Sequence, residues 1–100
     1  MERVALEGGG WFDKSAAKKY EEATWFDGSN RISKATGSQW DHQELYQTRS
    51  GGWVLYSWSQ WQGRGESYRQ VTPAEAADWL ITNNHEIPDV LEEVVQQSEV

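Results

Sequence analysis

The sequence predicts an α+β domain built on an antiparallel β-sheet of about four to five strands, with an N-terminal helix and two C-terminal helices packed mainly on one face. Three observations carry that expectation. Two β-favouring runs, HQELYQT and WVLYSWSQWQ, flank RSGG between residues 42 and 62, which is the pattern of a tight hairpin. TPAE at Thr72–Glu75 is a capping box with proline at the first helical position, where its missing N–H costs nothing. The connections between residues 41 and 71 are also too short for the crossover helices of a doubly wound sheet.

Taken in order, ERVALE is a short β-like stretch that runs into Gly8, Gly9 and Gly10, and Trp11–Asp13 resumes extended structure. Asp13 reads as an N-cap. Behind it Ala16, Ala17, Tyr20 and Ala23 fall at i, i+1, i+4 and i+7, so a helix is expected over about Lys14 to Glu22. The second WFD, at Trp25–Asp27, is followed by Gly28, Ser29 and Asn30, which is turn chemistry, and a hairpin joins TWF to RISKA. WFDKS and WFDGS echo each other, as do the two SQW triplets at residues 38–40 and 59–61. No similarity extends beyond those few residues, so these are local composition and not a repeat architecture.

In the central hairpin, a two-residue turn at Ser50–Gly51 sets Thr48 opposite Trp53 and Tyr46 opposite Leu55. Period-two alternation then splits the aromatic run in two. Val54, Tyr56 and Trp58 share a side with Leu45 and Tyr68, and this more continuously apolar set is assigned to the helices. Trp53, Leu55 and Trp61, with Tyr46, occupy the other side. After the loop QGRGES, SYRQV forms a third antiparallel strand. The helix PAEAADWLITN turns Ala76, Ala77, Leu80 and Ile81 inward and stops at Asn83 and Asn84. Val90, Leu91, Val94 and Val95 form the apolar stripe of a short last helix.

One hundred residues make one modest core, so residues 1–100 are read as a single compact domain with a frayed C-terminal end. No stretch approaches the ~20 apolar residues of a membrane span, and the N-terminus lacks the basic and apolar regions of a secretory signal. With no cysteine there is neither a disulfide framework nor a thiolate zinc site, and a cytoplasmic location is expected. The net charge of −7 is unevenly placed. Residues 1–69 balance nine basic against nine acidic residues, whereas residues 70–100 hold seven acidic residues and no lysine or arginine. Such a segment repels phosphates and attracts basic surfaces.

TGSQWDHQELYQTRSGGWVLYSWSQWQG, with EAADWLITNNHE behind it, resembles a group of small, uncharacterised bacterial proteins of about this length, over roughly Asn30 to Glu86. What the resemblance implies is a compact bacterial domain. It brings no activity, cofactor or site residue with it.

Converging chemistry is sparse. Asp41, His42, His85 and Glu86 have the ligand types for zinc or manganese, but two histidines without a spacing such as HxxxH are unspecific, and His85 equally suits a helix C-terminus. No nucleophile elbow or phosphate-binding loop occurs, so the chain is expected to be non-catalytic and free of cofactors. Single-stranded nucleic acid is the alternative. Arg31, Lys34, Arg49, Arg64 and Arg69 lie among the sheet aromatics, where bases could stack, although three acidic residues offset five basic ones over that stretch. The favoured reading is an accessory or regulatory protein-binding domain, with a protein partner or a homodimer through the sheet. The expected binding residues are Trp53, Trp61, Tyr46, Arg49 and Arg64, with the acidic C-terminal segment as a second contact.

Overall fold

The computed structural model of the chain describes residues 1–61, 63 and 65–100. In chain order its strands are β1 (Arg3–Ala5), β2 (Trp11–Asp13), β3 (Lys18–Glu21), β4 (Thr24–Phe26), β5 (Arg31–Ser33), β6 (Asp41–Gln47), β7 (Trp53–Ser59) and β8 (Ser67–Val71), followed by helices α1 (Pro73–Thr82) and α2 (Glu92–Gln97). The strands form three antiparallel sheets. The main one has the order β3-β6-β7-β8, and β1-β2 and β4-β5 are separate two-stranded hairpins.

The expected N-terminal helix is absent, and both α-helices are C-terminal. Asp13 does cap, accepting from the Ser15 N–H, but only a single 3₁₀ turn over Lys14–Ala16 follows. The chain then extends as β3 along the edge of β6, with Tyr20 opposite Leu45 and Lys19 opposite Tyr46. Alternation decides this segment. Tyr20 is buried between exposed Lys19 and Glu21, and Lys19 reaches across the strand pair to Glu44 at 3.3 Å. The helical spacing of Ala16, Ala17, Tyr20 and Ala23 is thus coincidental, because pairing with β6 places Tyr20 in the core beside Leu45 and Trp53, whereas a short helix with mainly alanine on its apolar face is marginal. Charged residues on this edge strand also guard it against further pairing.

The central hairpin differs from its expected form by one residue. Gln47 pairs with Trp53, Tyr46 with Val54 and Leu45 with Leu55. The Thr48–Gly52 backbone bond encloses three residues. A β-turn is closed by the Gly51 N–H donating to the Thr48 carbonyl (2.9 Å), and Thr48 and Gly52 are joined by a backbone bond of 2.8 Å. Gly51 sits at φ 94, the left-handed position that this class of three-residue hairpin requires. Because the side-chain period is two, a one-residue slip exchanges partners between the faces.

The helices cover the odd-numbered face, not the even-numbered one. Trp53, Leu45, Tyr20 and Val71 pack with Ala76, Ala77, Trp79 and Leu80 of α1 and with Leu91. Trp79 turns inward, where its indole N–H donates to Gln43 Oε1 at 3.0 Å, while Ile81 stays half exposed at 50%. The capping box forms as expected, Thr72 and Glu75 each satisfying the other's backbone N–H. On the opposite face, Tyr46 and Val54 are covered by the β1–β2 hairpin through Phe12, with Val4, Leu6, Tyr56 and Tyr68 alongside.

Two outcomes test this arrangement. Trp53→Ala should cost about 3–5 kcal/mol in urea unfolding, whereas Trp61→Ala, at a half-exposed site, should stay within about 0.5 kcal/mol; the reverse ranking would contradict the observed faces. The second concerns pH. Asp13 Oδ1 accepts from the Ser15 hydroxyl (2.6 Å), the Glu2 N–H (3.0 Å) and the Ser15 N–H (3.1 Å), and these bonds, the Ser15 hydroxyl's first, hold its carboxyl below the ordinary value of 3.8. A folded-state pKa below the unfolded one stabilises above the unfolded value and is lost as pH falls through the folded value. Asp13→Asn should therefore lower Tm at neutral pH, and the deficit relative to wild type should shrink as pH falls below about 3.8.

Candidate functional site

The sheet order brings one end of the molecule together. The end of β3, the start of β6, the end of β7 and the start of β8 lie side by side. The β4–β5 hairpin leaves from this end, and the residues just before β6 and just after β7 close it. Trp40 and Trp61 stand exposed here, at 40% and 53%, and the hairpin carries two further exposed rings, Trp25 at 48% and Phe26 at 62%.

The hairpin is held firmly at its root and bare along its length. Glu22, between β3 and β4, is the fastening. One carboxylate oxygen accepts from the Gln43 N–H (2.7 Å) and the Ser33 hydroxyl (2.8 Å), and the other meets His42 Nδ1 at 2.7 Å. Ser33 is fully buried and its hydroxyl oxygen accepts in turn from the Ala35 N–H. Asn83, at the C-cap of α1, completes the root. Its Oδ1 accepts from the Ala23 N–H at 2.9 Å while its amide donates to the Trp79 carbonyl at 2.8 Å. Beyond this root every residue from Thr24 to Arg31 is exposed. A two-stranded hairpin with no covering surface is marginal by itself, so its shape depends on the anchored root and on the Asp27 carboxylate, which accepts from the Ser29 and Asn30 N–H groups.

Both short sequence echoes have a structural meaning. In each WFDxS copy the aspartate accepts from the N–H of the serine two residues on, ending a strand in an Asx turn. The first copy buries Phe12 (4% exposed) against Tyr46 and Tyr68, whereas the second leaves Phe26 at 62%. In each SQW copy the serine hydroxyl oxygen accepts from the tryptophan N–H. The two rings meet, Trp40 and Trp61 lying 5.1 Å apart between centroids, and the Gln60 N–H donates to the Trp40 carbonyl.

Of the residues expected to bind, Trp61 belongs to this exposed end. Trp53 and Tyr46 do not, being 2% and 4% exposed, one in each half of the core. Arg49 sits in the β6–β7 turn at the far end of the sheet, lining a cleft of about 340 Å³ with Trp11, Asp13, Thr48 and Gln70. Arg64 lies outside the described residues. Trp25, Phe26 and Trp40 are absent from the expected set. Their signal was present in the sequence, since adjacent Trp25 and Phe26 point to opposite sides of a three-residue strand and one thin core cannot cover both.

The even-numbered aromatics form a column of rings. Tyr68 stacks on Tyr56 at 4.3 Å, Tyr56 on Trp58 at 5.0 Å, and His42 lies 5.4 Å from Trp58. Lys14 donates to the Tyr68 hydroxyl, which raises the lysine pKa. The Tyr56 hydroxyl donates to Glu66, and burial together with that bond pushes its pKa up. These rings face one another, so a nucleobase would have to part them in order to stack. The basic residues are equally scattered: Arg31 is on the hairpin, Arg49 at the opposite end, and Arg69 beside Glu75 at 3.3 Å. His42 is held by Glu22, and His85 Nε2 lies 2.6 Å from the Glu21 carbonyl oxygen. No cluster of three or more metal-ligating side chains occurs among the described residues.

No protein-family model, curated protein or solved structure matches the chain. Among the described residues no helix is long and apolar enough to cross a membrane.

Glu22→Ala should destabilise the fold by about 1–3 kcal/mol, since it leaves Ser33 and the Gln43 N–H without their acceptor. Hydrogen exchange should accelerate most over residues 24–35; unchanged exchange there would show that the root is held by something else.

Proposed function

We propose that the chain is a non-catalytic protein-binding domain of the accessory or regulatory kind, which engages its partner with the end of the sheet that carries Trp25, Phe26, Trp40 and Trp61. The observation that supports this most directly is the contrast between the two WFDxS segments. A strand ending in the same Asx bond buries its phenylalanine in one case and displays it in the other. Trp40 and Trp61 are exposed and in ring contact; contiguous exposed aromatics are rare on proteins that act alone, and tryptophan is among the residues that dominate binding energy at protein interfaces. The anchored root adds to the argument. A hairpin fixed at Glu22 and Asn83 loses little freedom on binding, so more of its contact energy appears as affinity. Arg31 beside these rings supplies the kind of polar rim that surrounds an apolar contact.

The test is affinity capture from the source cells with wild-type protein and with a Trp25→Ala, Phe26→Ala double variant. Both substitutions are at exposed positions, so Tm should change little. Capture of specific partners should fall by roughly tenfold or more, the range of a lost hot spot. Equal capture by both proteins, with both folded, would rule out this end as the binding surface.

A further inference from the structure

We propose that one partner of this surface is a second copy of the chain, two molecules each seating the β4–β5 hairpin on the acidic C-terminal helical segment of the other. This rests on the reading of the hairpin end as a protein-binding surface and names an occupant for it. Charge selects that occupant. Arg31 and Lys34, at the two ends of β5, are exposed, and neither has an ion-pair partner among the described residues. The hairpin's own acid, Asp27, is occupied by its turn, where the Asn30 N–H, then the Ser29 N–H, lowers its pKa.

At the other end of the sequence, Glu86, Asp89, Glu92, Glu93 and Glu99 have no lysine or arginine among them and no ion-pair partner among the described residues. Val90 stands among these carboxylates at 63% exposure. An apolar residue flanked in sequence by acid complements aromatic residues beside base, and such complementarity fixes both register and partner.

Placement makes the exchange reciprocal. The hairpin root is bonded to Asn83, the residue at which α1 ends, and His85 meets the Glu21 carbonyl, so the acidic segment starts at the same corner as the hairpin and continues along β3, where Lys18 lines a cleft with Glu86 and Asp89. A two-fold axis near that corner forms the same contact twice and closes the assembly, as most homodimers do. Phe26 then gains on the partner the cover that Phe12 finds within its own chain.

Sedimentation equilibrium of the purified full chain should show a reversible dimer that weakens as salt rises to about 0.5 M, where exposed charges are largely screened. Arg31→Glu with Lys34→Glu should weaken it by roughly tenfold or more, and Asp89→Lys with Glu93→Lys should do the same. Mixing the two double variants should restore a heterodimer, because both exchanged contacts are then complementary; that rescue also excludes misfolding as the cause of either loss. A monomer at every concentration and salt, a dimer indifferent to both charge reversals, or a mixture that fails to associate would each overturn the proposal. The broader reading is separable from it: a monomer whose capture of other proteins still depends on Trp25 and Phe26 loses self-association alone.

Discussion

The tight turn between β6 and β7, with three residues enclosed by the Thr48–Gly52 backbone bond, is the constraint from which the rest of the structure follows. Gly51 at φ 94 closes a turn that places Gln47, and not Thr48, opposite Trp53. That single offset puts Leu45, Leu55 and Trp53 on one face and Tyr46, Val54 and Tyr56 on the other. Gly52 is part of the same device. Its N–H donates to Thr48 Oγ1 at 2.9 Å, and a Cβ at position 52 would come within 3.3 Å of that oxygen. The turn thus decides which residues of β6 share a face with which residues of β7. With Trp53 under α1, the even-numbered face takes its cover from the β1–β2 hairpin, with Ala17 beside it.

That second cover is small, and its size explains the surface. Phe12 reaches Tyr46 and Tyr68 at ring distances of 5.6 and 5.8 Å, but the hairpin that carries it has strands of three residues each. Farther along the same face, Tyr56, Trp58 and His42 cover one another by stacking. A domain of this length cannot enclose every ring it carries, because its surface is large relative to its volume. The surplus is not scattered at random. Apart from Trp11, the exposed tryptophans are Trp25 of the β4–β5 hairpin and the Trp40–Trp61 ring pair.

Much of the architecture was legible in the sequence where one local rule decided the outcome. The capping box at Thr72, the turn after Asp27 and the strand character of residues 67–71 each depend on neighbouring residues, and each appears as read. The failures share a cause. Residues 14–22 satisfy a helical spacing and a strand alternation at once, and only the presence of β6 as a pairing partner selects the strand. RSGG admits a two-residue or a three-residue turn, and that choice, invisible in the alternation itself, decides whether Leu45 shares a face with Val54 or with Trp53. Trp53 and Tyr46, expected at a binding surface, both lie in the core, because the helices cover one face of the sheet and the β1–β2 hairpin covers the other. The acidic character of the C-terminal segment needed no such decision, since charge does not depend on register.

Glu22 shows how a polar residue can matter more to such a surface than the aromatics on it. A hairpin of two three-residue strands has little to gain from its own backbone pairing, and none of its residues from Thr24 to Arg31 contributes to the core. Left to itself it would sample many orientations, and a partner would have to meet that entropy on binding. The carboxylate joins Ser33 of β5 to the Gln43 N–H and the His42 ring of β6, with side-chain exposures of only 17% for the histidine and 11% for the glutamate. Bonds to an ionised group in such a setting are stronger than neutral ones, and three groups converging on one side chain fix an angle as well as a distance. Rigidity at the root together with exposure at the tip is a combination that core packing alone does not produce. The energetic case for β4–β5 as a presented element therefore rests on a buried glutamate as much as on the rings of Trp25 and Phe26.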